Sequence, residues 1–196
     1  MKLLCLTVLL FLHPAVGPAV DPDDEPLLEL RITSKNLTVV AGGSGKVSAE
    51  IVNIGKVAVT LVKPGDGSQD GWRTPLVGWS VLDAKDKDAT HAKEPTPRKV
   101  ARCGNINSLG KKSVFVLEPG KKQAIDDWRG SPTFAKPGKY RVVFYYTNDP
   151  AIGWKGLPLG DHDADALAAL ESSTKCALVS NELVFTVAPK SQAGDR

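Results

Sequence analysis

The sequence predicts an all-β fold, an antiparallel sandwich of two packed sheets, and three observations carry the prediction. Tyr140, Val142, Phe144 and Tyr146 fall on one face of an extended run, with Arg141 and Thr147 on the other. That is the period of a strand buried on one side. The closing run 181–187 repeats it, setting Leu183, Phe185 and Val187 against Glu182 and Thr186. Between these and the start of the chain, β-branched runs recur about every ten residues with turn chemistry between them, the spacing of sandwiches and not of alternating strands and helices.

Ahead of the first strand lies a segment of a different kind. Lys2 precedes an apolar run, Leu3 to Leu12, about half of the ~20 residues that span a bilayer, and the small residues Ala15, Gly17 and Ala19 follow. This is the layout of a signal peptide over 1–19, cut after Ala19 because a cut after Gly17 would leave Pro18 first. Cys5 has no lipobox before it, so neither a lipid anchor nor a transmembrane anchor is expected after cleavage. An acidic leader over 20–26, a sandwich domain over 27–188 and a disordered tail over 189–196 complete the expected organisation of a secreted or periplasmic protein.

Within the domain, strands are expected at 27–32, 37–40, 46–52 and 57–62, broken at Ser34-Lys35-Asn36, at Ala41-Gly42-Gly43-Ser44-Gly45 and at Asn53-Ile54-Gly55. Each break holds residues that tolerate turn geometry. Further strands are expected at 76–82, 99–103, 113–117 and 122–125; rough analogy with the immunoglobulin class, taken separately, gives about seven to nine strands. Residues 161–173 depart from the pattern. Ala164, Ala166, Leu167, Ala168, Ala169 and Leu170 are helix formers behind an acidic start, with Asp161 or Asp163 as N-cap, so a short helix is inserted before the last strand.

The order Leu117-Glu118-Pro119-Gly120, Trp128, Pro137-Gly138-Lys139-Tyr140, Ser180-Asn181-Glu182-Leu183 resembles that of secreted immunoglobulin-like sandwich domains. It is similar to the BsuPI-type proteinase-inhibitor domain and to uncharacterised exported bacterial domains. The resemblance covers about residues 113–188, is made of turn and strand grammar, and implies an immunoglobulin-like sandwich. As an expectation of function it adds a protease-inhibiting loop.

Composition excludes some partners. The net charge is +3, and Arg98-Lys99, Lys111-Lys112 and Lys121-Lys122 are scattered without interleaved aromatics, so no nucleic-acid groove is expected. After cleavage only Cys103 and Cys176 remain of the three cysteines, an even pair in an oxidising compartment, and a single disulfide between them is expected. No cofactor is expected.

Two clusters could carry metal chemistry. Asp66, Ser68 and Asp70, followed by Gly71, open like a calcium loop, but the twelfth place holds Val77 where a bidentate Glu belongs; an ordinary turn explains the same residues. Asp161, His162 and Asp163 combine imidazole with carboxylates, although helix capping accounts for them too. His91 lies in a charged stretch and His13 in the leader, which leaves little for acid–base catalysis. There is no Gly-x-Ser-x-Gly elbow, no His-Glu-x-x-His and no phosphate loop, so no catalytic residue is expected.

The four tryptophans divide in two. Trp79 and Trp128 are expected to plug the sandwich. Trp72 and Trp154, in Gly/Pro-rich loops, form with Arg73 the candidate binding surface, because indole rings give contact area at small entropic cost. Asn36-Leu37-Thr38 matches a glycosylation acceptor. The expected function is a non-catalytic module that binds a protein or glycan through loops 64–75 and 147–160. A BsuPI-like proteinase inhibitor is the first alternative, and a metal-dependent hydrolase using His162 with Asp161, Asp163 and Asp66 or Asp70, which needs those two clusters to meet, is the second.

Overall fold

The structure is a computed structural model that describes residues 27–65, 67–69, 73–89, 110–125, 130–151 and 164–190. One sheet is built from β1 (Leu28–Thr33), β3 (Ser48–Asn53) and β7 (Lys122–Ala124), all antiparallel in the order β1-β3-β7. The other holds β2 (Thr38–Val40), β10 (Leu183–Ala188), β8 (Gly138–Asn148) and β5 (Leu76–Asp83) in that order, with β9 (Cys176–Val179) also against β8. A separate ribbon pairs β4 (Val59–Val62) with β6 (Val114–Leu117). The fold is the expected immunoglobulin-like sandwich, with the N-terminal run divided between the sheets: β1 joins one, and β2 pairs parallel with the last strand of the other.

The alternation in the sequence sets which side chains meet. Tyr140, Val142, Phe144 and Tyr146 of β8 are buried, as are Phe185 and Val187 of β10, while Tyr145, Val184 and Thr186 face out. One part of the core joins Leu30, Ile32, Ile51, Val59, Leu61, Phe144 and Tyr146; a second joins Val81, Phe134, Tyr140, Val142, Phe185 and Val187. Val47, Trp79 and Leu183 pack against both parts and make the core continuous. Trp79 plugs it as expected, half-buried with its ring 4.6 Å from that of Phe144 and its indole N–H donated to the Gly130 carbonyl at 3.1 Å. Trp128 lies outside the described residues.

β8 is the hub. β5 pairs along one edge from Leu76 opposite Thr147 to Asp83 opposite Tyr140, while β10 takes the first half of the other edge and β9 the second. Between β9 and β10, Ser180 keeps the ladder closed: its amide donates to the Phe144 carbonyl, and its hydroxyl accepts from the Phe144 amide, both at 2.9 Å. Asn181 then turns to the other sheet and imitates a strand partner. Its Oδ1 accepts from the Ile32 amide at 2.8 Å and its Nδ2 donates to the Ile32 carbonyl at 3.1 Å. The Ser-Asn pair that gave the sequence its family likeness is therefore a joint between sheets.

Ten strands are described, more than the seven to nine expected. The unforeseen strand is β9, which follows the expected helical insertion over 161–173 and was assigned no element. The helix α1 (Ala164–Glu171) lies within the expected 161–173 and buries Ala166 and Leu170 against Val62. The strand expected at 99–103, the caps Asp161 and Asp163, the acidic leader and residues 191–196 of the tail lie outside the described residues. Among the described residues no helix is long and apolar enough to cross a membrane.

Candidate functional site

One end of the sandwich gathers the segments singled out as loops. The C-termini of β4 and β8 and the N-termini of β5 and β9 meet there, so the β4–β5 loop and the segments on either side of α1 leave from one surface. A polar layer lies beneath them. Thr74, fully buried, donates its hydroxyl to Asn148 Oδ1 at 3.2 Å and accepts from the Asp149 amide at 3.1 Å. The Thr74–Pro75 peptide bond is cis. Asn148, also fully buried, spends its two amide hydrogens on Ser173 Oγ at 2.9 Å and on the Thr174 carbonyl at 2.8 Å. One side chain thus ties the roots of three segments.

Charge follows the same layout. The Asp149 carboxylate meets Lys175 Nζ at 2.9 Å and accepts from the Ala151 amide at 3.0 Å. The Lys175 ammonium and then that backbone N–H hold Asp149 below the usual carboxylate range. Tyr146 reaches β4 from below, donating its hydroxyl to the Val62 carbonyl at 2.7 Å and accepting from the Val62 amide at 3.3 Å. Burial pushes that phenol far above its ordinary pKa, so it is a neutral strut.

Arg73 corrects the sequence reading. It was expected on an exposed binding surface and is instead 3 % exposed, with Nη2 donating to the Lys63 carbonyl at 3.3 Å. Its guanidinium lies against Gly65, where a Cβ would come within 2.7 Å of Nη1, so the Pro-Gly of the loop makes room for a buried cation. Ser68, read as a possible calcium ligand, is also buried. Its Oγ accepts from the Gly65 amide at 3.0 Å and its amide donates to the Gly65 carbonyl at 2.9 Å, which makes it a turn clasp. Trp72, Trp154, Asp66, Asp70, Asp161, His162 and Asp163 lie outside the described residues. Among the described residues no three His, Cys, Asp or Glu side chains are grouped as metal ligands would be.

The expected disulfide is not seen. Cys176 is a free, half-buried thiol whose pKa burial raises, and Cys103 lies outside the described residues. The residues that organise this end, Thr74, Asn148, Asp149 and Tyr146, were not anticipated as a group. Their one signal in the sequence is polarity at the tips of strands: Asn148 continues the buried face of β8 after Tyr146, where an apolar residue would be due.

The fold and this end define an immunoglobulin-like sandwich with a polar loop base. No family model and no curated protein matches the chain. Among solved structures it is similar to the CARDB domain of the PF1109 protein from Pyrococcus furiosus, a complex with di-metal ions, at 11% identity over 87% of this chain and 99% of that one, with a TM-score of 0.34. It is also similar to the ASH/PapD-like domain 7 of human CEP192, at 13% identity over 96% of this chain and 100% of that one, with a TM-score of 0.27. The BsuPI likeness read from the turn grammar finds no counterpart among these matches.

Proposed function

We propose that the protein is an exported, non-catalytic module that binds a protein or glycan through loops 64–75 and 147–160, with Trp72 and Trp154 as contact residues. The observation that supports this is the Thr74–Asn148 hydrogen bond, which joins the roots of both loops over a base in which Asn148 also binds Ser173 and the Thr174 carbonyl. A fixed base lowers the ordering cost of binding. Arg73 has no part in contact, because it is buried in that base. The reading includes export by the 1–19 leader and a Cys103–Cys176 disulfide.

The test is a glycan array and a cell-surface protein array probed with the natural chain and with the Trp72→Ala/Trp154→Ala variant. A ligand held by the natural chain and lost by an equally stable variant is the expected result. Equal binding by both chains would move the contact surface elsewhere. N-terminal sequencing of the exported chain should begin at Val20, and a peptide map without reductant should hold a linked Cys103–Cys176 pair; two alkylated thiols would remove the disulfide from this reading.

A further inference from the structure

Among the described residues Tyr145 is the one aromatic side chain left exposed, at 38 %; the other rings are buried or half-buried against the core. Alternation along β8 sends it to the outer face of the larger sheet, since Phe144 and Tyr146 on either side of it face inward. It does not stand up from that face. Gly78 lies opposite on β5, and a Cβ there would collide with the Tyr145 hydroxyl and the ring carbon that bears it, so the phenol lies across the neighbouring strand in the space that another residue's side chain would fill. Val179, opposite on β9 and 70 % exposed, completes the row. The result is a low shelf, an aromatic ring beside an aliphatic side chain. Size and charge decide what it can hold. Three strands and the three rows at Thr147, Tyr145 and Val143 cover about 10 Å by about 14 Å, or about 140 Å². A stable protein interface takes about 800 Å² from each partner, several times more. An anionic ligand finds no cation in these rows: Arg141 lies one row beyond Val143 and is held by Asp86 and Glu182. The rows on either side of Tyr145 offer the hydroxyls of Ser80 and Thr147 instead.

We propose that Tyr145 is the stacking platform for a neutral glycan, one sugar ring lying on the phenol with its hydroxyls toward Ser80 and Thr147. The C–H groups on the face of a pyranose carry partial positive charge and meet the electron-rich face of the phenol, while the hydroxyls around its rim keep to water and to the two side chains. Gly78 is what holds the platform down, because a larger residue there would lift the ring from the sheet. The row of Leu76, Thr147 and Ala177, next to the platform, is where loops 64–75 and 147–160 take root. A glycan chain on Tyr145 therefore runs toward the loop end in one direction. The proposal rests on the binding role given above and narrows its ligand to carbohydrate.

Affinity electrophoresis of the mature chain tests this, in native gels that hold hydroxyethylcellulose, xyloglucan, galactomannan or dextran, with polygalacturonate as the charged control. The expected result is retardation by at least one neutral polymer, weakened about tenfold by Tyr145→Ser and retained by Tyr145→Phe, which keeps the ring. Gly78→Ala should weaken it too, by lifting a ring that is otherwise unchanged; if Tyr145→Ser fails to fold, that variant decides. Retardation that Tyr145→Ser leaves intact and the Trp72→Ala/Trp154→Ala chain loses would overturn the platform while the loop reading stands. A chain that no neutral polymer slows, or that polygalacturonate alone slows, overturns the proposal as well, and the loop reading is then judged on its own arrays.

Discussion

Removing the Asn148 side chain strands Thr74, Ser173 and the Thr174 carbonyl together, all in a site from which water is largely excluded. Asn148→Ala is expected to cost about 3 kcal/mol, since a buried polar group left without its partner costs about 1–3 kcal/mol; urea unfolding measures it as a lowered midpoint at unchanged slope. Two glycines should respond unequally to alanine. At Gly65 the new methyl meets a buried guanidinium, whereas at Gly78 it meets the hydroxyl end of Tyr145, which is exposed and can swing aside. Gly65→Ala should cost about 2 kcal/mol and Gly78→Ala under about 1 kcal/mol; equal losses would contradict the packing around Arg73. Acid tests the carboxylates. Lys175 beside Asp149, Arg31 beside Glu29, and the Lys87 and Lys85 amides beside Asp83 all lower the carboxyl pKa. Their stabilisation is in place above the unfolded pKa near 4 and is lost as pH falls through the lower folded values. Melting temperatures should therefore drop below about pH 4, and Asp149→Asn should flatten that limb while lowering stability at neutral pH.

At the scale of elements, legibility followed burial on one face. β8 and β10 were readable because each buries every second residue, and the burial follows the pattern the sequence displayed. β9 was not, because Cys176–Val179 is four residues long and only half-buried at Cys176 and Leu178, too short to show a period before the break at Ser180. The candidate site was half legible. Loop composition singled out segments whose roots the structure brings together at one end of the sandwich, but Arg73 was misplaced because charge next to Trp and Gly reads as surface, and its burial against Gly65 depends on a tertiary contact. The Asn181 joint is testable apart from the rest. Asn181→Ala should abolish hydrogen-exchange protection at the Ile32 amide and destabilise the sandwich by about 1–2 kcal/mol. Unchanged protection would show that β1 is held to the second sheet by packing alone.

Taken as a whole, the molecule sets its second strand beside its last at one sheet edge, because β2 runs parallel to β10 from Thr38 beside Thr186 to Val40 beside Ala188. The Thr186 amide donates to the Leu37 carbonyl at 2.8 Å, and the Ala41 amide to the Ala188 carbonyl at 2.9 Å. A parallel pair gripped at the start of one strand and the finish of the other cannot peel open one bond at a time; its bonds are loaded together, in shear. We infer that, once β1 has been drawn from its sheet, tension between the two ends of the domain meets a mechanical clamp at β2. Pulling single molecules by their ends should give one rupture peak, reduced by Val39→Pro, and an undiminished peak in that variant would place the clamp elsewhere. For a domain held at one end and loaded by a ligand at the other, that short strand sets the force at which the grip is lost.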